Sequence, residues 1–444
     1  MGTKDGPVRL IGRWSDLGGD DRQAVLERGL DEIFDPGLRS QVADLIEDVR
    51  QNGDSALVRA LERFDRCHVE PGQLRVSDDE FAEAQASVPD DLLAALRDCI
   101  DHVRSFNEQL VSRGDWEFES EPGLRVGEKV TPIESAGLFV PSGKGSFPSV
   151  LVQLGTPAVV AGVGKIAVVV PPVPGSAGEV DPAVLVVAKE LGIRDVFRSN
   201  GPAGVAALAF GTESVPKVRK VVGPGSPAVT CAQVEVQRYG TVTTMLLGPS
   251  ESLIIADGTA DARLLAADLL NEAEHGADSY SILVTPSEAL LDAAQVEVAK
   301  QLSLLPEPRR SYAAAALGKN GGAILVEDLS EAVDVANAYA PEHMQIAVAD
   351  PDSLLERVTD AGEVLIGQWT PFSSANFLIG CPASLPTSGF AKVSGGITAE
   401  AFRKRTGVAR ADERALARMR ASVTALSRHE GFPAHEAAIE IRFS

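Results

Sequence analysis

LIIADGTADARLLAADLLNEAEHGADSYSILVT, residues 253–285, reads as a strand at 253–256, an amphipathic helix at 262–275 and a second strand at 281–285. Downstream the alternation continues with a helix at 286–302, a strand at 323–326 and a helix at 329–338. Residues 140–211 carry the same rhythm: a β-branched run ending in proline at 167–171, a helix at 184–191 and a strand at 195–197. Strands that alternate with helices pair in parallel through helical crossovers, so the expectation is an α/β fold with two parallel-sheet modules. Before them, apolar residues recur at three and four (Val25, Leu30, Ile33, then Val42, Ile46, Val49, Leu57, Leu61), which makes the first hundred residues mainly helical. After Gly389 the chain reads as helical and charged over 399–428, and it closes with a short amphipathic helix or arm at 434–442. No repeat or low-complexity linker separates these parts, so they are expected to pack intimately.

The 444 residues include 41 Lys and Arg against 63 Asp and Glu, a net charge of −22, with 44% hydrophobic residues. That composition supplies ample material for buried cores. The acidic excess repels phosphate backbones and anionic lipid, so neither nucleic acid nor a membrane surface is an expected partner. Cys67, Cys99, Cys231 and Cys381 form no C-x-x-C pair and no disulfide framework, and no signal peptide or membrane span is legible. A cytoplasmic protein acting on a small molecule is the expectation.

No G-x-G-x-x-G fingerprint occurs. GLFVPSGKG at 137–145 has the wrong glycine spacing for a phosphate loop, and Gly145 stands where such a loop needs Ser or Thr; a glycine-rich turn that admits a ligand to the backbone fits better. Glu272 and His275 are three apart at the end of the 262–275 helix and share a face, as two corners of a metal site or as a solvated helix end. Ala340-Pro341-Glu342-His343 breaks a helix with proline and leaves an acid and an imidazole on a loop, where one could activate water and the other take a hydroxyl proton. A capped helix end is the plainer alternative. Asn376 and His435 attract no notice alone.

Taken together, VVGPGS (221–226), LLGPSESLIIAD (246–257), DLLNEAEHG (268–276), NAYAPEHMQI (337–346), SLPTSGFAKVSGG (384–396) and FPAHEAAIEIRF (432–443) closely resemble the histidinol dehydrogenase family, in order from about residue 35 onward. The resemblance implies a zinc enzyme that uses NAD twice to oxidise a primary alcohol to a carboxylate, built as an intertwined homodimer of two incomplete Rossmann-like domains. With the pattern above, it divides the chain into an N-terminal helical region at 1–39, a first Rossmann-like domain at 40–135 with 246–390 that carries the metal, a second at 136–245 on the cofactor side, and a helical C-terminal arm at 391–444 swapped in the dimer. The implied metal ligands are Glu272, His275, Asn376 and His435. Glu342 is the implied activator of water and His343 the implied base; Ser250, Ala383 and Glu430 match substrate-contacting positions, and Phe139, Pro141, Gly143, Ala203, Gly223 and Ser226 match the cofactor's.

Several positions depart from the family pattern. Glu272 and Asn376 exchange the usual amide and carboxylate, which keeps two imidazoles, two oxygen donors and one negative charge. Pro382-Ala383 replaces Asn-His and removes an imidazole from the substrate pocket. Phe139, Ala203 and Ser226 replace the usual Tyr, Gln and Asn around the cofactor. The expectation is therefore a zinc-dependent, NAD-linked alcohol dehydrogenase whose substrate is not L-histidinol, with 2,3-dihydroxypropane-1-sulfonate as a candidate. A true histidinol dehydrogenase is the runner-up, and a zinc hydrolase or a catalytically silent paralogue are rivals of other classes.

Overall fold

Short apolar runs, rich in β-branched residues, form the strands of two parallel sheets. The computed structural model describes residues 6–28, 33–142, 145–245 and 248–444. Within them the strands are β1 (Leu10–Arg13), β2 (Trp116–Glu121), β3 (Leu124–Pro132), β4 (Ser135–Phe139), β5 (Lys165–Val170), β6 (Asp195–Arg198), β7 (Lys220–Val222), β8 (Glu251–Ala256), β9 (Tyr280–Thr285), β10 (Gly322–Leu325), β11 (His343–Ala347), β12 (Glu363–Ile366) and β13 (Arg403–Ala411).

The larger sheet runs β1-β10-β9-β8-β11-β12 and is parallel throughout. Strands buried on both faces read as continuous apolar runs rather than alternating ones. Ile254 and Leu283 point into a core with Leu265, Leu269 and Leu290 from the helices Ala262–Ala273 and Glu288–Leu302. Leu253, Ile255 and Val284 point the other way, onto Val333, Ala336 and Tyr339 of the helix Leu329–Tyr339. The smaller sheet runs β6-β5-β4-β7 and is also parallel. Antiparallel β2, β3 and β13 form a third, separate ribbon.

Three expectations are corrected. Residues 40–135 do not pack with the larger sheet: Val42, Ile46, Val49 and Leu57 join Phe139, Val169 and Val205, while Leu96, Ile100 and Val103 join Leu138, Leu151 and Val168, all around the smaller sheet. Periodicity reveals an apolar stripe but not which sheet covers it. The region 1–39 is not purely helical, because Leu10–Arg13 is the edge strand of the larger sheet; residues 1–5 and 29–32 of it lie outside the described residues. The segment after Gly389 is not helical throughout either. Arg403–Ala411 is a strand paired with β3 at every residue, a case of cross-strand pairing overriding the helix preference of an Ala- and Arg-rich stretch. The helices Glu413–His429 and Pro433–Glu440 follow it.

Candidate active site

The helix Leu329–Tyr339 ends at Ala340, whose φ of 51° is left-handed and unusual for a residue with a side chain. That turn and Pro341 reverse the chain into β11, so Glu342 stands in the turn, in line with the expected loop, while His343 opens a central strand. Both are buried. β11 lies between β8 and β12, with His343 level with Ser252 and Glu363, and insertion between two neighbours is what takes the pair out of solvent. Glu342 Oε2 accepts the Glu251 N–H at 2.9 Å. Burial foremost pushes the Glu342 carboxyl up to about 8, against the pull of His343 and of that N–H. Burial draws the His343 imidazolium down, but Glu342, the hydrogen bond to Glu363, and Glu272 outweigh it and push the ring up to about 10.

The helix Ala262–Ala273 runs antiparallel to the strands, so its C-terminal end arrives at the edge of the sheet where β8, β11 and β12 begin. Glu272 is wholly buried there. Its Oε1 accepts from Asn376 Nδ2 at 2.7 Å and from Asn271 Nδ2 at 2.9 Å. Its Oε2 lies 3.0 Å from His275 Nδ1 but has no well-aligned hydrogen bond. Ser250 Oγ is 3.0 Å from the same ring nitrogen. Burial raises the Glu272 carboxyl, yet His275 outweighs it, with help from His343 and Asn376, and holds it down at about 2; the His275 imidazole is pushed up in return, chiefly by Glu272. An ionised, buried carboxylate with an under-used oxygen beside an imidazole and an amide is a donor set that fits a divalent cation, given that the amide can present its oxygen by a flip.

Three of the four expected ligands thus converge, and His435 does not join them. It is exposed on the helix Pro433–Glu440 and stacks on Phe432 at 5.0 Å. Among the described residues no group of three or more His, Cys, Asp and Glu is placed to hold a metal. Glu430, expected at the substrate, is also exposed in the same arm. Ser250 is beside the cluster. Ala383 lies on a strap, residues 381–388, that reaches both modules: its N–H donates to Gln153 Oε1 at 3.3 Å, while Thr387 Oγ1 accepts the Gly248 N–H at 2.6 Å and the Ser388 N–H donates to Glu251 at 2.7 Å.

The cofactor positions gather at the other module. Phe139 ends β4 and Pro141 follows it; Gly223 follows β7, and exposed Ser226 immediately precedes the helix Pro227–Val236 without a side-chain cap. β4 and β7 are where the strand order of the smaller sheet reverses, and the crevice outside the C-terminal ends of such a pair is a favoured ligand position. A Cβ at Gly223 would sit 2.1 Å from the Phe139 carbonyl oxygen, and its φ is 141°, so only glycine allows this close approach. Ala203 is buried near the start of the helix Gly201–Phe210. Gly143 lies outside the described residues.

Two buried carboxylates escaped the sequence reading. Glu363 sits 2.5 Å from His343 Nδ1 through Oε1, and Glu251 sits 2.6 Å from Arg28 Nη2. Each opens an otherwise apolar strand, EVLI and ESLIIA, and a charge at the head of a buried parallel strand was the available signal.

The family model for histidinol dehydrogenase matches residues 32–443. The chain belongs to the histidinol dehydrogenase family. It is 39% identical over 418 residues to a histidinol dehydrogenase of Synechocystis, covering 94% of this chain and 95% of that protein. It is similarly 38% identical over 436 residues to a histidinol dehydrogenase homolog of Colwellia psychrerythraea, covering 97% and 95%. The crystal structure of histidinol dehydrogenase from Elizabethkingia anophelis superposes with a TM-score of 0.91 at 30% identity, covering 99% of this chain and 98% of that one. As a member of the histidinol dehydrogenase family the chain has relatives of both names, so membership alone does not choose its substrate. No helix among the described residues is long and apolar enough to cross a membrane.

Proposed function

We propose that this protein is a zinc-dependent, NAD-linked dehydrogenase that oxidises the primary alcohol of a small polar substrate to a carboxylate in two hydride transfers, and that the substrate is not L-histidinol. The observation that carries the reading is the buried Glu342–His343 pair at the same sheet edge as Glu272, His275 and Asn376. Those three would hold zinc, with His435 as a fourth ligand from a partner subunit, and the loops after β4 and β7 would hold NAD. When bound, zinc supplies Lewis-acid charge and NAD supplies the hydride acceptor.

His343 takes the hydroxyl proton of the substrate as the carbinol hydrogen departs as hydride. Glu342 then takes a proton from the water that adds to the aldehyde carbon, which sets up the second departure. An enzyme that stopped at the aldehyde would have no use for a buried carboxylate raised into the range of a general base. Ser250, beside His275, would orient the substrate, and Ala383 would leave space where a polar partner would otherwise select for an imidazole-bearing one.

Relatives named histidinol dehydrogenase favour the second reading, that L-histidinol is the substrate after all. NADH formation followed with L-histidinol and with 2,3-dihydroxypropane-1-sulfonate, and then over a panel of primary alcohols, separates the two. Turnover of L-histidinol far above every other alcohol would replace the first reading by the second.

A further inference from the structure

β11 and β12 are parallel neighbours in which His343 is level with Glu363. Level residues of adjacent strands share a face of the sheet. Here the side chains meet, His343 Nδ1 to Glu363 Oε1 at 2.5 Å, with only 4% and 5% of them exposed. The strands approach closely at this point because residue 362 is glycine: a Cβ there would lie 2.4 Å from the Glu342 carbonyl oxygen, which also accepts the Glu363 N–H at 3.1 Å. The other ring nitrogen, Nε2, faces Glu342, 3.8 Å from Oε1. Phe372 closes the ring's edge at 5.9 Å between centroids.

Glu363 has little else to do. Its Oε2 is buried with no hydrogen-bond partner. A buried carboxylate is strongly destabilising unless a partner offsets its desolvation, and the imidazole is the partner that the described residues provide. Such an arrangement fixes the tautomer of the neutral ring, because Nδ1, at hydrogen-bond distance from Glu363, keeps its proton, while Nε2, with Glu342 beyond hydrogen-bond distance, is left with its lone pair once the ring deprotonates.

We infer that Glu363 is the positioning residue of the general base: it holds the proton on His343 Nδ1, turns Nε2 toward the substrate, and stabilises the imidazolium that forms during alcohol oxidation. In that step the substrate O–H bond breaks and an Nε2–H bond forms. The carbinol C–H pair leaves as hydride, so the alcohol carbon is oxidised and NAD is reduced. The Nδ1 proton stays where it is, and the Nε2 proton passes afterwards to water. The inference rests on the reading of His343 as that base. Charged groups that act on the ring are Glu342 before it in the chain, Glu363 on β12, and Glu272 and His275 at the end of the helix Ala262–Ala273.

The test uses Glu363→Gln, which keeps the shape and removes the charge, in the zinc-loaded enzyme. First oxidation of the alcohol is expected to fall in kcat by about 10²–10⁴-fold, with KM for alcohol and NAD held within about twofold. Oxidation of the aldehyde supplied directly is expected to change less than about threefold, since Glu342 and not His343 activates its water. The midpoint of the acid limb for the first oxidation should move to lower pH. A purely structural pair would lower both steps together and leave the midpoint in place, and that result overturns the inference.

Enzyme labelled with 15N-histidine, with His343→Ala for assignment, gives a readout that needs no turnover. Above the ring's titration midpoint the wild type should carry the remaining proton on Nδ1, and Glu363→Gln should lower that midpoint. If those signals appear while no alcohol is oxidised, the positioning role stands and the proposed reaction fails. If alcohols are oxidised but the tautomer and midpoint do not respond, the inference fails and the reaction stands. Should the glutamine variant not fold, Glu363→Asp serves in its place, with retention of the Nδ1 proton and of the low-pH limb expected and their loss counting against the inference.

Discussion

Arg28 Nη2 lies 2.6 Å from Glu251 Oε2, with 1% of each side chain exposed. The guanidinium stacks on the Tyr339 ring at 3.4 Å and reaches the Ala340 carbonyl at 3.3 Å. Glu251 in turn accepts the Ser388 N–H and offers its own N–H to Glu342. One buried ion pair thus ties the N-terminal region, the head of β8, the strap and the left-handed turn before Glu342 and His343. Removing one partner strands the other charge, so Arg28→Met or Glu251→Gln alone should lower stability by about 3–5 kcal/mol. The double variant should lose clearly less than the sum. Urea unfolding of the four proteins measures this, and additive losses would mean that the pair is not coupled.

The proposed zinc ligands around Glu272 make their own prediction. Glu272→Gln should lower zinc content by removing the one negative charge of the donor set. Glu272→Gln with Asn376→Asp should restore part of it, because the two side chains are 2.7 Å apart and share one ion's field. Zinc measured on purified protein decides, and equal content in all three would show that the cation is held elsewhere.

Glu342 sets a pH dependence. A carboxyl pushed up to about 8 is protonated below that pH and basic above it. Oxidation of the aldehyde should therefore rise with pH through the neutral and mildly alkaline range, and a neighbouring divalent cation would move the midpoint downward. Glu342→Gln should remove the rise and slow this step by about 10²-fold or more. About two NADH per alcohol consumed is the expected stoichiometry in the parent enzyme. One NADH with free aldehyde accumulating would leave Glu342 without the role assigned to it.

On the cofactor side, Gly223→Ala must displace the β4 carbonyl that its Cβ would strike and must hold a φ of 141°. The KM for NAD should rise by about tenfold or more, with zinc content unaffected. Steady-state kinetics with varied NAD, alongside metal analysis, are the measurement; an unchanged KM would place the cofactor away from the crevice between β4 and β7.

The position of His435 predicts complementation. If the arm serves a partner subunit, His435→Ala and His343→Ala proteins, each inactive, should regain roughly a quarter of native activity when unfolded and refolded together, since half of randomly paired dimers are mixed and each holds one intact site of two. Mixed dimers without activity would mean that His435 acts within its own chain or not at all.

What the sequence reveals here follows the range of each signal. Five of the ten strands of the two sheets were legible within about two residues, as at β5, where residues 167–171 were expected and Lys165–Val170 forms, because buried apolar runs report their own local state; β1, β4, β7, β11 and β12 were not. The Glu272–His275 pair was legible from its spacing of three, but the arrival of Ser250 and Asn376 beside it was legible only as a resemblance, since Asn376 is 104 residues from Glu272 and no spacing rule joins them. Glu363 and Arg28 were missed for the same physical reason: each matters through one partner across the fold, and a lone charge in a sequence carries no mark of that partner. Arg403–Ala411 was read as helix because its pairing strand lies some 280 residues earlier in the chain.

That ribbon has a bearing on how an assembly would form. β13 is clamped to β3 over its full nine residues, and the two helices beyond it are held to each other by Arg420 with Glu440 and Arg428 with Glu436. The terminal imidazole is therefore mounted on a stiff outrigger rather than on a loose tail. A subunit that received it would meet a segment whose backbone and side-chain freedom is already restricted, so little further ordering entropy would oppose docking.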